Sequence, residues 1–172
     1  MADIKEFKYR LIKNFFTKEE LHILQKYCMN KLDEPWTNDS QSPLVPSWYK
    51  DALMNALLEN KLPLVEKETG LQLFKTYAFW RYYAYGSILE DHKDRPSCEI
   101  SVTACIHKTD NWPIHMEGNW IEMEEGDGVI YLGCELQHGR KPFTGDGCAQ
   151  VFMHYVDQNG PYAKYKDDQQ YT

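Results

Sequence analysis

The chain has 172 residues, 42% hydrophobic, 14% aromatic and 26% charged, with a formal net charge of −7 at pH 7. That length suits one domain whose core stands without disulfides, and an aromatic-rich composition excludes a disordered chain. No apolar run approaches a bilayer span, and acidity spread along the chain sets a nucleic-acid partner aside.

The first predicted element is a helix in "FFTKEELHILQKYCMNKL", opened by a capping box of Thr17 and Glu20. "NDSQSPLVPS" is polar and proline-bearing and reads as a loop. "WYKDALMNALLENKLPLVEKETG" resumes helical spacing, with an interruption expected at Pro63 and a cap at Gly70. Residues 1–70 are therefore expected to be mainly helical support, 71–160 a β core and 161–172 a tail, within one domain.

Beyond Gly70 come short aromatic and β-branched runs: "LFKTYAFWRYYAY", "CEISVTACIH", "WPIHM", "NWIEME", "GVIYLG" and "AQVFMHYV". These read as strands, and the joints at Gly118-Asn119, Gly126-Asp127-Gly128 and Gly145-Asp146-Gly147 carry turn chemistry. The expected class is mainly β, a sandwich or barrel with two or three helices against one sheet. Five cysteines, Cys28, Cys98, Cys105, Cys134 and Cys148, include no CxxC pair. Charged residues rather than an apolar leader follow Met1, so a reducing, cytoplasmic compartment is expected.

Among these runs, "EDHKDRP" sets His92 and Asp94 two residues apart. On extended backbone both point to one face. Two histidines and one carboxylate on one face of an octahedral ion leave three adjacent positions open, the arrangement of non-heme Fe(II) oxygen chemistry. His138, after the strand-like Val129 to Leu132 and Gly133, is the chosen third ligand, with His107, His115 and His154 as competitors. Taken alone, a His-x-Asp pair is more simply a surface ion pair or a solvated turn. Zinc held through Cys98 or Cys134 is a lesser reading, because no paired ligand spacing is present.

The ordered series "RYYAYGSILEDHKDRPSCEISVT", "WPI", "GDGVIYLGCELQHGRKPF" and "QVFMHYVDQNGP" resembles the prolyl hydroxylase-like branch of the Fe(II)- and 2-oxoglutarate-dependent oxygenases, its small microbial and viral members in particular. The resemblance runs from about Thr76 to Pro161, and "LIKNFFTKEELHIL" is similar to the helix that opens such domains. It implies a double-stranded β-helix, a cupin-like jelly roll with the N-terminal helices packed on one sheet. It also implies Fe(II) on His92, Asp94 and His138, 2-oxoglutarate as co-substrate, ascorbate as an accessory reductant, and Tyr83 against the co-substrate.

In one place the sequence departs from the family pattern. The basic residue that usually holds the far carboxylate of 2-oxoglutarate would fall near Cys148 to Gln150, where none stands. A dianion in a partly dry cavity still calls for a fixed cation. Arg140, on the same side as His138 if that segment is extended, is the first candidate, followed by Arg81 and then Arg95 and Lys108. Ser101, Thr103 and Cys105 are expected to alternate inward on the next strand, with Thr103 able to donate to the co-substrate.

The activity implied is hydroxylation of a C–H bond by dioxygen with release of succinate and CO2, on a protein or peptide side chain such as proline. A free amino acid or other small molecule is the alternative substrate, and a non-catalytic jelly roll that binds a ligand or partner is the rival class. The loop from Trp36 to Trp48 and the tail "YAKYKDDQQYT" are placed to cover the mouth of such a site, beside the plainer readings of a flexible loop and a frayed terminus.

Overall fold

The computed structural model describes residues 3–168; residues 169–172 of the expected tail lie outside the described residues. Among the described residues three α-helices, α1 (Ile4–Phe7), α2 (Lys18–Lys31) and α3 (Ala52–Thr69), support ten strands. The strands are β1 (Tyr9–Ile12), β2 (Ser47–Tyr49), β3 (Leu73–Ala84), β4 (Leu89–His92), β5 (Ile100–Lys108), β6 (Ile114–Met116), β7 (Asn119–Ile121), β8 (Gly128–Leu132), β9 (His138–Arg140) and β10 (Gly147–Asp157).

They form a six-stranded sheet in the order β1-β8-β5-β10-β3-β2 facing a four-stranded sheet in the order β4-β9-β6-β7. Every ladder is antiparallel. Successive strands alternate between the sheets from β3 to β6 and again from β7 to β10, which is the jelly-roll winding expected.

The period-2 pattern divides the larger sheet into two faces. On β3, Ala78 and Trp80 join the cluster beneath the helices, whereas Tyr77, Phe79 and Tyr83 join an inner cluster with Phe152, Trp112 and Phe143. Helix α3 packs on β3 and β10, and α2 on β5. Asp51 ties this layer together: it caps α3 through Met54 N and accepts from Tyr27 Oη at 2.6 Å and Trp80 Nε1 at 3.2 Å.

Two expectations need correction. Helix α3 runs unbroken through Pro63 to its left-handed cap at Gly70, φ 73°. An interior proline costs about 3 kcal/mol of helix stability, but Leu57, Leu58, Lys61 and Val65 are buried on both sides of it and hold the helix against the sheet. In "LIKNFF", Leu11 and Ile12 belong to β1, paired with Val129 and Gly128. The helix starts only after Thr17, where the capping box stands as read.

Candidate metal centre

The β4–β9 ladder sets His92 directly opposite His138 and Leu89 opposite Arg140. Directly opposed residues share a face, so both imidazoles meet on the inner side, where Asp94 joins them from the segment after β4. One ligand atom from each of His92, Asp94 and His138 lies within 4.8 Å of the other two, the one such grouping among the described residues. Asp94 Oδ1 is 3.4 Å from His92 Nε2 and 3.3 Å from His138 Nε2. Cis ligands about 2.1 Å from an octahedral ion stand about 3 Å apart, so both His–Asp spacings lie close to what an ion needs.

Each ring is oriented from behind. His92 Nδ1 donates to the Glu90 carbonyl and His138 Nδ1 to that of Leu136, both at 2.8 Å. In the neutral rings this leaves both Nε2 lone pairs facing the carboxylate. Among themselves the three groups offer only acceptors, an arrangement suited to a cation at its centre, and Gln41 Nε2, 2.9 Å from His92 Nε2, is the neighbouring donor. Ser101 Oγ, 3.0 Å from Asp94 Oδ2 and 2.9 Å from His154 Nδ1, fixes the other side of the carboxylate.

Electrostatics follow from this geometry. Burial opposes ionisation of Asp94, but the hydrogen bonds that the His138 and His92 rings donate in their protonated form outweigh it and hold the carboxyl far below its ordinary range. Burial lowers His92, yet the Asp94 carboxylate and the Glu90 carbonyl prevail and raise it above its ordinary value. Burial pushes His154 down to about 4, so it is neutral near pH 7.

Gly133 makes room for the carboxylate. A Cβ there would stand 2.5 Å from Asp94 Oδ2 and against the Cys98 carbonyl. Gly133→Ala is therefore expected to displace Asp94 and weaken divalent-metal binding at least about tenfold, at an overpacking cost of about 1–3 kcal/mol. A Mn(II) titration beside a thermal melt would check it; unchanged affinity would mean that Asp94 does not depend on this packing.

The triad lines a cavity of about 250 Å³. One wall is aromatic: Tyr49 stacks on Phe79 at 4.5 Å, and Phe79 on Phe152 at 4.7 Å. Arg95, over the Tyr77 ring at 5.1 Å, and Arg81 also reach the cavity, and His154 backs the triad within the same lining. The expected loop does reach the mouth, through Asp39, Ser40 and Gln41.

Most of the remaining predicted residues are engaged by their neighbours. Arg81 is 1% exposed and fully engaged, with Nη2 2.6 Å from Asp39 Oδ2, Nη1 on Gln41 and Nε on Ser47. Thr103 is buried and donates to Gln150 Oε1 at 3.2 Å. Lys108 is occupied by Asn111 and Glu124, His107 by Glu125, and His115 lies 3.8 Å from Asp91. Cys134 Sγ donates to the Arg95 carbonyl, and Cys98 meets Tyr77 Oη.

Arg140 stands out. It is 3% exposed and lies over Trp112 at 4.8 Å, its Nη1 on the Trp112 carbonyl, while Nε and Nη2 have no acceptor among the described residues. Tyr83 Oη, on the inner face of β3, is likewise buried without a partner. The thiol at Cys148, where the resemblance expects a basic residue, is drawn down by a hydrogen bond from Cys105 and by the Arg140 charge. Asp39 and Gln41 lie in a loop rich in Asn, Asp, Ser and Pro, which carries no local sign that Asp39 is buried or that Gln41 reaches His92.

No family model matches the sequence, and no curated protein does. Solved structures do match the fold. A prolyl-4-hydroxylase from Pseudomonas putida aligns over 90% of this chain and 95% of its own at a TM-score of 0.71 and 13% identity. The viral collagen prolyl hydroxylase of Paramecium bursaria Chlorella virus-1, in a 2OG complex, covers 86% and 95% at 0.64 and 10%. EctD from S. alaskensis with bound Fe covers 87% and 73% at 0.69 and 16%. The fold of this chain is the jelly roll that those three proteins share.

Proposed function

We propose that the chain is an Fe(II)- and 2-oxoglutarate-dependent dioxygenase that hydroxylates a C–H bond of a protein or peptide side chain such as proline. The observation that carries the reading is the convergence of His92 Nε2, His138 Nε2 and Asp94 Oδ1 as three acceptors around one point. The fold shared with two prolyl hydroxylases supports it.

In this reading His92, Asp94 and His138 hold Fe(II), which with 2-oxoglutarate and dioxygen supplies the oxidising power, ascorbate serving as an accessory reductant. The chain's own groups do the rest. Glu90 and Leu136 carbonyls keep both rings in the binding tautomer, and Ser101 holds Asp94 in place. The unpartnered Nε and Nη2 of Arg140, with Tyr83 Oη, receive the far carboxylate of the co-substrate. Arg140 stands two strand positions beyond His138, a rise of about 6.6 Å, close to the length of a five-carbon keto diacid. The aromatic wall of Tyr49, Phe79 and Phe152 excludes water from the reacting side.

Anaerobic titration of the Fe(II)-loaded protein with 2-oxoglutarate should give a saturable visible charge-transfer band that His92→Ala removes. Bound metal with no band would move the reading to a binding module. Metal affinity should also depend on pH in a defined sense. His92, raised above its ordinary value, keeps its proton to higher pH, and an ion must displace that proton. Affinity for Mn(II) should climb up to about tenfold per pH unit as pH rises towards the His92 pKa and level off above it. Asp94, ionised throughout that range, adds no slope. A flat profile between pH 5.5 and 8 would remove His92 from the ligand set.

A further inference from the structure

The metal-facing nitrogen of His92 already has a partner. Gln41 Nε2 lies 2.9 Å from His92 Nε2, while Gln41 Oε1 accepts from Arg81 Nη1 at 2.9 Å. A guanidinium only donates, so the amide oxygen must face Arg81 and the NH2 must face His92. With Nδ1 donating to Glu90, the neutral ring accepts Gln41 on its one remaining in-plane lone pair. That lone pair can take the carboxamide or a metal ion, not both.

Gln41 is held there by a strap running from Thr37 to Ser47, whose ends pair with each other. Asp39 pins it. One carboxylate oxygen takes Arg81 and Tyr49 Oη, and the other takes the backbone amides of Gln41 and Ser42. The Asp39 and Arg81 side chains are 0% and 1% exposed, so the pin is a buried ion pair. The outer turn is different: Leu44, at φ 64°, is 82% exposed and its amide is tied only locally, to Asn38 Oδ1.

We propose that this strap is a gate coupled to metal loading. In the metal-free chain Gln41 caps His92 and closes the cavity mouth. Binding of a divalent ion to His92 expels the carboxamide, and the segment from Ser40 to Leu44 loosens about the Asp39–Arg81 pin, uncovering the mouth. The inference rests on the triad being a metal site, and linkage makes it reciprocal: whatever strengthens the Gln41 cap must weaken metal binding by the same factor.

The test uses the full chain with Mn(II) alone at pH 8, following free Mn(II) by electron paramagnetic resonance and strap amides by hydrogen exchange. Gln41→Ala, at a solvent-exposed position, should bind Mn(II) about three- to tenfold tighter than the native chain, the effect of one neutral hydrogen bond. In the native chain the amides of Gln41, Ser42 and Leu44 should exchange at least about tenfold faster once Mn(II) saturates, and in Gln41→Ala they should be fast without metal. Equal affinities, or strap exchange indifferent to Mn(II), would overturn the gate while leaving the metal site standing. A native chain that does not bind Mn(II) in any His92-dependent way would overturn both.

Discussion

Asp94→Ala should lower turnover of 2-oxoglutarate by at least about a thousandfold and abolish measurable binding of Fe(II) or Mn(II), while leaving a folded protein. The carboxylate is the only anionic ligand in the set and stands between two imidazole nitrogens at 3.3 and 3.4 Å. Without it, two neutral rings remain, a pair too weak to retain a divalent ion against water. The fold survives because Ser101, which Asp94 engages, keeps the Cys98 carbonyl and His154 as partners. Asp94→Asn should lose metal equally, which separates charge from shape. The depressed Asp94 pKa also stabilises the metal-free fold above pH 4, a contribution that disappears as pH falls below the ordinary carboxylate range. Succinate formation, metal titration and circular dichroism on the two variants make the test; a variant that still turns over would remove Asp94 from the centre.

Why the three candidate ligands stand out in the sequence while their surroundings do not follows from how each signal is written. The long strands β3, β5 and β10 alternate aromatic and β-branched residues over enough positions for period 2 to stand out, and the Thr17 capping box is a purely local signal. A His-x-Asp step at the end of a strand keeps both candidate ligands on one face whatever the loop lengths. By contrast, β1 and β2 have four and three residues and exist because β8 and β3 offer them ladders, so no periodicity announces them. Pro63 is a local breaker overruled by burial on either side of it.

The cations show the same limit. Arg81 and Arg140 both point inward, as strand parity suggests, but parity says nothing about their partners. Asp39, forty-two residues from Arg81 along the chain, neutralises one guanidinium. The other is left with open donors. Only the three-dimensional assignment of partners distinguishes a structural arginine from one prepared for an anion.

That distinction gives Arg140→Met an unusual pair of expected effects. On the role proposed for Arg140, removing a charged, two-pronged contact to the far carboxylate should raise the KM for 2-oxoglutarate about a hundred- to a thousandfold, the equivalent of two charge-assisted hydrogen bonds. Without co-substrate, replacing a buried guanidinium that no carboxylate among the described residues pairs with by an apolar side chain of similar length should leave stability unchanged or raise it by about 1–4 kcal/mol. An arginine kept for structure would behave in the opposite sense. Arg81 is the internal control: Arg81→Met strands the buried Asp39 carboxylate and should cost about 3–5 kcal/mol. Thermal melts with and without 2-oxoglutarate on the metal-loaded proteins would read both quantities at once, since a ligand that binds only the folded state raises the melting temperature. An Arg140→Met protein that is still stabilised by 2-oxoglutarate like the native chain would move the carboxylate site away from β9, with Arg81 released from Asp39 as the next cation in reach.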